Sequence, residues 1–227
     1  MNCLVLGATG LTGTLLVDEL TLVPSVSNIY CPVRTVPDIA KSKASYQQVD
    51  FSQPASAIPN IELDTAFCCL GTTIKVAGSK TAFYHIDVEL PYLLLKQAIA
   101  RGVKKIILIS AMGANARSWI FYNRCKGELE QRLIELCKQH NVKLVICRPS
   151  LLLGNRNEQR FAEGMGQKLF SAASKPWIKP FDKFQPIHAK QVASAMVALA
   201  LKENDNKVTI AENNELLSLA LSANESL

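Results

Sequence analysis

The chain has 227 residues, 48% of them hydrophobic and 19% charged, a balance that reads as globular and excludes a disordered chain. Its formal net charge of +6 comes from scattered lysines and arginines, with no basic stripe interleaved with aromatics, so nucleic acid is not an expected partner. A chain of this size buries enough surface to be stable without disulfides or metals.

In chain order, short β-rich runs alternate with amphipathic stretches, which predicts a parallel sheet covered by helices. Strands are expected at Cys3–Leu6, Asn28–Val33, Tyr46–Val49, Ala66–Leu70, Lys105–Ile109, Lys143–Cys147 and Lys207–Ala211. Helices are expected at Thr12–Leu22, Thr81–Arg101, Trp119–His140 and Ala189–Lys202. Pro91 within the second helix marks a kink or a late helix start. Residues 155–185 are the least regular stretch, with Gly164, Gly166, Pro176, Trp177, Pro180 and Phe181, and are expected to form a small cap or lid. No linker divides the chain. The expectation is an α/β, doubly wound Rossmann fold: one domain over 1–227, a mostly parallel sheet of about seven strands, and a small C-terminal cap.

Seven cysteines make no framework. Cys3, Cys31, Cys68, Cys69 and Cys147 fall in apolar runs, where a free thiol packs as a small hydrophobe. Adjacent Cys68 and Cys69 point to opposite faces of a strand, and no CxxC occurs, so no metal is expected. His85, His140 and His188 have no metal-ligand spacing. The apolar start, Asn2–Leu6, lacks a basic flank and runs into a glycine turn, which reads as a strand and not a signal peptide. Apolar stretches such as Val192–Leu201 are too short to span a bilayer. A reduced, cytoplasmic protein with no membrane association follows as the expectation.

The first strand runs into Gly7-Ala8-Thr9-Gly10-Leu11-Thr12-Gly13, and a helix follows. Three glycines at this spacing permit a tight turn, close approach of pyrophosphate to backbone, and close helix–strand contact. The helix N-terminus then offers amide donors to the phosphates, and Thr9 and Thr12 add hydroxyls. After the second strand, where a carboxylate would bind the ribose of NAD, stands Arg34. A guanidinium there suits the 2′-phosphate of NADP, so NADP(H) is preferred over NAD(H).

Ser110 closes the fifth strand, and Tyr122 and Lys126 lie one helical turn apart on the helix that follows. A tyrosine has a pKa near 10 and needs a neighbouring ammonium to lower it before it can exchange protons at neutral pH. Lys126 would supply that ammonium and anchor the nicotinamide ribose, while Ser110 would orient a substrate oxygen.

On these residues, together with Cys68-Cys69-Leu70-Gly71-Thr72-Thr73 and Arg148-Pro149-Ser150, the chain resembles the atypical short-chain dehydrogenase/reductases over nearly its whole length. More narrowly it is similar to the branch containing the mammalian HIV Tat-interactive protein oxidoreductase and its bacterial relatives. The resemblance implies that Asp50 and Phe51 sit at the adenine, that Cys69, Leu70, Gly71 and Thr72 lie along the cofactor, and that Pro149, Ser150 and Leu151 face the nicotinamide. It implies hydride transfer to or from a small carbonyl or alcohol, with Tyr122 as acid–base group. Ala111 stands where members of that family often have a second serine, so one hydroxyl carries the polarising role. The short C-terminal part leaves little protein to grip a nucleotide-sugar.

The rival reading is a non-catalytic NADP(H)-binding regulator or redox sensor that acts through protein partners. Arg156 and Arg160, four apart near the substrate mouth, suit either an anionic substrate or solvent. Trp177 and Phe181 suit a pocket wall or simple packing. The two long helices offer a dimer face, so a monomer or a homodimer is expected.

Overall fold

The computed structural model describes residues 1–154, 185–203 and 205–224. Seven parallel strands form one sheet: β1 (Asn2–Leu6), β2 (Asn28–Val33), β3 (Ala44–Gln48), β4 (Thr65–Cys68), β5 (Lys105–Ile109), β6 (Lys143–Arg148) and β9 (Val208–Glu212). Their order is β3-β2-β1-β4-β5-β6-β9. The order reverses between β1 and β4, which leaves a crevice at the carboxyl ends of those two strands. This is the doubly wound fold expected. A separate two-stranded pair, β7 (Leu152–Leu153) with β8 (Ile187–His188), joins the two ends of the stretch expected to form the cap. Apart from Gln185, that stretch lies outside the described residues, as do Arg156, Arg160, Trp177 and Phe181.

Strand alternation sorts the core into two layers. On one face Cys3 and Val5 of β1, Phe67 of β4, Ile107 of β5 and Val145 of β6 pack with α1 (Leu11–Leu22), α6 (Ala189–Leu201) and α7 (Asn213–Asn224). On the other, Leu4 and Leu6, Cys68, Ile106 and Leu108, and Leu144 and Ile146 pack with α4 (Leu90–Ala100) and α5 (Phe121–Gln139). The period of two is therefore apolar on both faces, as a sheet covered on both sides requires. Leu129, Leu133 and Leu136 make the buried stripe of α5. Each contributes about 1.5–3 kcal/mol by leaving water.

The helix expected over Thr81–Arg101 is three pieces: α3 (Lys80–Tyr84), a π turn (His85–Glu89) and α4. Pro91, at the second position of α4, has no N–H to return to the carbonyl of Asp87. The chain widens before it, and the Leu90 N–H reaches the His85 carbonyl, five residues back. Not expected from the residue pattern is α2 (Ile74–Ala77), which Thr73 caps by accepting from the Val76 N–H at 3.2 Å. Helix α7 was also unexpected; it buries Leu216 and Ala220 against α6.

Candidate functional site

The glycine turn sits at the crevice. Gly7 has φ +81°, and a Cβ on it would stand 2.7 Å from the Cys69 carbonyl oxygen, so the β1 and β4 loops are in backbone contact. A Cβ on Gly13 would fall 2.0 Å from the Gly7 oxygen. Helix α1 therefore starts flush against the end of β1 only because neither position bears a side chain. Gly10 is its N-cap and has no side chain with which to cap it. A helix N-terminus with a glycine cap in a crevice turns first-turn amides toward an anion, which fits a dinucleotide pyrophosphate. Leu11 packs against Gly154, where a Cβ would come within 2.7 Å of Leu11 Cδ1.

Beside this turn, Arg34, Gln48, Val49, Asp50, Phe51 and Ser52 line an open cleft of about 500 Å³. Residues expected at the 2′-phosphate and at the adenine are thus brought to one place by the ends of β2 and β3. Asp50 is turned inward on its own loop: its two oxygens accept from the Ser52 N–H at 2.9 Å and the Ser52 hydroxyl at 2.7 Å. Those bonds hold its carboxyl below the usual range.

Ser110 follows β5, and its N–H donates to the Cys147 carbonyl of β6 at 2.8 Å. It is 4% exposed, and its Oγ has no hydrogen-bond partner among the described residues. An unpaired buried hydroxyl costs on the order of 1–3 kcal/mol, so this atom suits a ligand oxygen. Tyr122 and Lys126 lie on one face of α5, with the Lys126 Nζ 5.8 Å from the Tyr122 ring centre. Phe83 of α3 supports the tyrosine ring at 5.9 Å. A Cβ on Gly127 would stand 2.2 Å from the Ala116 amide, so this glycine lets the 115–116 loop lie directly on α5 beside Lys126.

Sequence reasoning missed one member of the group. Asp87, on the π turn, is fully buried, and its Oδ1 forms an ion pair with the Lys126 Nζ at 2.6 Å. Its Oδ2 accepts from the Thr72 N–H at 2.8 Å. A Cβ on Gly71 would lie 3.5 Å from Asp87 Oδ1 and 3.6 Å from Lys126 Nζ, which places the Leu70-Gly71-Thr72 turn against the pair. The proline in the apolar helical run was the only available signal.

Electrostatics correct the expectation for Tyr122. Burial pushes its phenol above the ordinary value, Lys126 pulls it back, Asp87 pushes it up again, and the net direction is upward. For Lys126 burial disfavours the charge, but Asp87 first and Tyr122 second outweigh it and hold the ammonium.

Pro149 accepts from the Met112 N–H, and Leu151 from the Ile187 N–H. The Ser150 N–H donates to Asn213 Oδ1 at 2.9 Å and its hydroxyl donates to the Gln185 carbonyl, so this motif braces β8 and α7. Arg148 forms a two-pronged pair with buried Glu130 at 3.0 and 2.6 Å and reaches Glu212 at 3.1 Å. It ties β6 to α5 and β9. His85 pairs with Glu89, His140 caps α5 and His188 caps α6, the last with its N–H donating to Gln191.

A family model described as HIM1 matches residues 21–175. The chain is 33% identical to the mitochondrial protein FMP52 of Candida albicans, covering 99% of this chain and 100% of the relative. It is 29% identical to HTATIP2 of Rattus norvegicus over 95% of this chain and 87% of the relative. Among solved structures it is similar to a UDP-glucuronic acid 4-epimerase from Bacillus cereus in complex with NAD, with TM-score 0.70 and 14% identity over 96% of this chain and 80% of that one. It is also similar to MoeE5 in complex with UDP-glucose and NAD, with TM-score 0.66 and 15% identity over 98% and 81%. These two likenesses establish the Rossmann-type fold. The cytoplasmic placement is overturned, because the FMP52 relatives are named mitochondrial. Seven free thiols argue against an oxidising compartment but do not separate cytoplasm from mitochondrion.

Proposed function

Because the chain belongs to the HIM1 family, on the atypical short-chain dehydrogenase/reductase branch that includes HTATIP2, we propose that it is an NADP(H)-dependent oxidoreductase acting on a small carbonyl or alcohol. The observation that carries this reading is a juxtaposition. The glycine turn touches the β4 loop at Cys69, and two residues on, Gly71 lies against the Asp87–Lys126 pair, one helical turn from Tyr122. A dinucleotide turn and an acid–base group therefore share one edge of the sheet.

In this reading the chain is one cofactor-binding domain. Gly7, Thr9, Gly10, Leu11, Thr12 and Gly13 hold the pyrophosphate, Arg34 the 2′-phosphate, and Asp50 and Phe51 the adenine. Cys69, Leu70, Gly71 and Thr72 line the path to the nicotinamide, and Pro149, Ser150 and Leu151 bound its far end. The bound cofactor supplies the two electrons of the reduction. Ser110 donates to the substrate oxygen from a buried position with no competing partner. Tyr122 gives that oxygen its proton, and Lys126 holds the ribose and the local positive charge.

Calorimetric titration with NADPH and NADH, wild type beside Arg34→Ala, tests the proposal. Tighter NADPH binding that Arg34→Ala abolishes supports it. No binding of either nucleotide at millimolar concentration overturns it. Reductase activity on an aldehyde and ketone panel, lost in Tyr122→Phe, separates the enzyme from a cofactor sensor, which would not need that phenol. The names of the FMP52 relatives support a mitochondrial location, which fractionation with a matrix marker checks.

A further inference from the structure

Dinucleotide binding and proton transfer leave one part of the same sheet edge without a purpose. Trp119 is 99% exposed and Ile120 beside it 62%, at the end of the loop that leads from β5 into α5. Val76 is 67% exposed and Ile74 is exposed with it, both on α2 beyond the end of β4. Phe121 joins the two stretches: the Lys80 Nζ of α3 and the Arg124 guanidinium of α5 stand 5.5 and 5.6 Å from its ring centre. Single apolar side chains in water are ordinary, but four on neighbouring segments make a patch.

Hydrogen bonds fix the backbone that carries these side chains. Thr73 and Ser79 cap α2 and α3, accepting from the Val76 N–H at 3.2 Å and the Ala82 N–H at 3.0 Å, and Gly78 turns the chain between them with φ +83°. In the other loop the Arg117 N–H donates to Asn115 Oδ1 at 2.8 Å and the Ile120 N–H to the Ser118 hydroxyl oxygen at 3.1 Å. The Arg124 guanidinium donates to the Ser118 carbonyl at 2.9 Å. The two stretches carry one sign of charge. No aspartate or glutamate occurs from Thr65 to Ile86 or from Leu90 to Gly127, and the two carboxylates between, Asp87 and Glu89, pair with Lys126 and His85. Lys80 and Arg117 are exposed, and Arg124 is half-buried.

We propose that this patch docks the protein on an anionic membrane surface, with Trp119, Ile120, Ile74 and Val76 entering the interfacial layer and Lys80, Arg117 and Arg124 meeting lipid phosphates. An indole suits that layer, since its body is apolar and its N–H stays among the headgroups. The aliphatic side chains gain by leaving water, and the negative surface potential attracts each cation. A second copy of the chain is a poor occupant, because two such faces would bring like charges together. An acidic protein would match the cations but would need a socket for each projecting side chain, whereas fluid lipid adapts to all four. The expected lack of membrane association rested on the lack of a spanning segment, and docking needs none: among the described residues no helix is long and apolar enough to cross a membrane. Trp119 stands just before Tyr122, so docking would hold the candidate-site edge of the sheet toward the lipid. The docking itself does not depend on the oxidoreductase reading.

The test is flotation of the full-length protein with vesicles of phosphatidylcholine, alone or mixed with phosphatidylserine. The expected result is binding to the mixed vesicles that weakens in high salt, and little binding to phosphatidylcholine alone. Trp119→Ser/Ile120→Ser changes side chains that stand mostly in water, so it should keep its thermal midpoint and bind at least about tenfold more weakly. Lys80→Gln/Arg117→Gln should lose most of the preference for phosphatidylserine. Leu22→Ser/Leu221→Ser, as exposed but near the opposite edge of the sheet, should bind as wild type does. Trp119→Phe keeps an aromatic anchor, so it should bind while losing fluorescence quenching by brominated acyl chains. No binding to either vesicle, or binding that survives Trp119→Ser/Ile120→Ser, overturns the proposal. So does a change of mass in sedimentation caused by that variant, which would give the face to a second copy. Binding of polyglutamate but not of vesicles overturns it in favour of an acidic protein. Calorimetry with NADPH on the same variants reads the cofactor site separately, so failure of the docking leaves the reductase reading standing.

Discussion

Substituting alanine at three glycines separates what the first turn does for stability from what it does for binding. At Gly13 the new methyl would lie 2.0 Å from the Gly7 oxygen, 2.8 Å from its carbonyl carbon and 3.0 Å from Ala8 Cα. All three are backbone atoms at the end of a central strand, so relief requires β1 and α1 to separate. Alanine's helical advantage over glycine, about 1 kcal/mol, is far smaller than such a clash. Gly13→Ala is therefore expected to cost more than about 3 kcal/mol, beyond ordinary overpacking. At Gly78 the methyl meets nothing within 4 Å, but φ is +83°, so the left-handed backbone alone costs about 1–2 kcal/mol. At Gly10 the backbone, φ −77° and ψ 174°, suits alanine, and the nearest atom is 3.3 Å away. Less than about 1 kcal/mol is expected there, the scale of an N-cap change.

Urea unfolding should thus rank the losses Gly13→Ala, then Gly78→Ala, then Gly10→Ala. NADPH calorimetry should rank them differently. Gly10→Ala, though nearly as stable as wild type, is expected to bind at least tenfold more weakly, about 1.4 kcal/mol, because its methyl occupies the space of the pyrophosphate. Gly78→Ala should bind normally. A Gly13→Ala protein with wild-type stability would refute the contact argument, and a Gly10→Ala protein with wild-type affinity would remove the pyrophosphate from this turn.

Other expectations rest on the same contacts. Arg148→Met should cost about 2 kcal/mol or more, since it strands Glu130, which is 3% exposed, whereas Glu212→Gln at the exposed end should cost under about 1 kcal/mol; equal losses in urea unfolding would contradict this. Phe83→Ala should cost about 3–5 kcal/mol and slow any reduction step, because the ring that supports Tyr122 is lost; thermal unfolding and steady-state rates check both. Stability should also fall in alkali. Burial raises Cys3, Cys31, Cys137 and Cys147 from an ordinary 9.0 to about 12. Below pH 9 both states keep these protons and the stabilisation is complete; above it the unfolded chain releases them first, so stability declines toward pH 12. A urea midpoint that stays level from pH 8 to about pH 10.5 would contradict that linkage.

What the sequence made legible was local. Gly7, Gly10 and Gly13 stand within one turn and their spacing states its geometry. Tyr122 and Lys126 share a helix face by spacing alone. Both were readable because a single element carries each pattern. Arg34 was assigned from its place after β2 and Asp50 from the family resemblance, and parallel pairing then brings both to one cleft. The expected long helix concealed a π turn because apolar periodicity survives the extra residue, and only Pro91 hinted at the break. Arg148, read as part of a family motif, proved to be the centre of an ion network whose carboxylates come from α5 and β9. The expected lowering of the Tyr122 phenol failed because burial outweighs Lys126, and the carboxylate that adds to burial lies on another element.

The topology explains why that carboxylate had to come from where it does. The connection from β4 to β5 and the connection from β5 to β6 are both crossovers between adjacent parallel strands. Right-handed crossovers between neighbours in the same direction cover the same face of the sheet. The π turn and α5 must therefore lie side by side over the layer built on Leu6, Cys68 and Leu108. Any residue near the carboxyl-edge end of the first crossover faces the N-terminal half of α5, where Tyr122 and Lys126 stand. The widened turn before Pro91 lets the carboxylate reach the ammonium and the Thr72 amide together. Pro91 follows the π turn, and Asp87 on that turn is the carboxylate that pairs with Lys126.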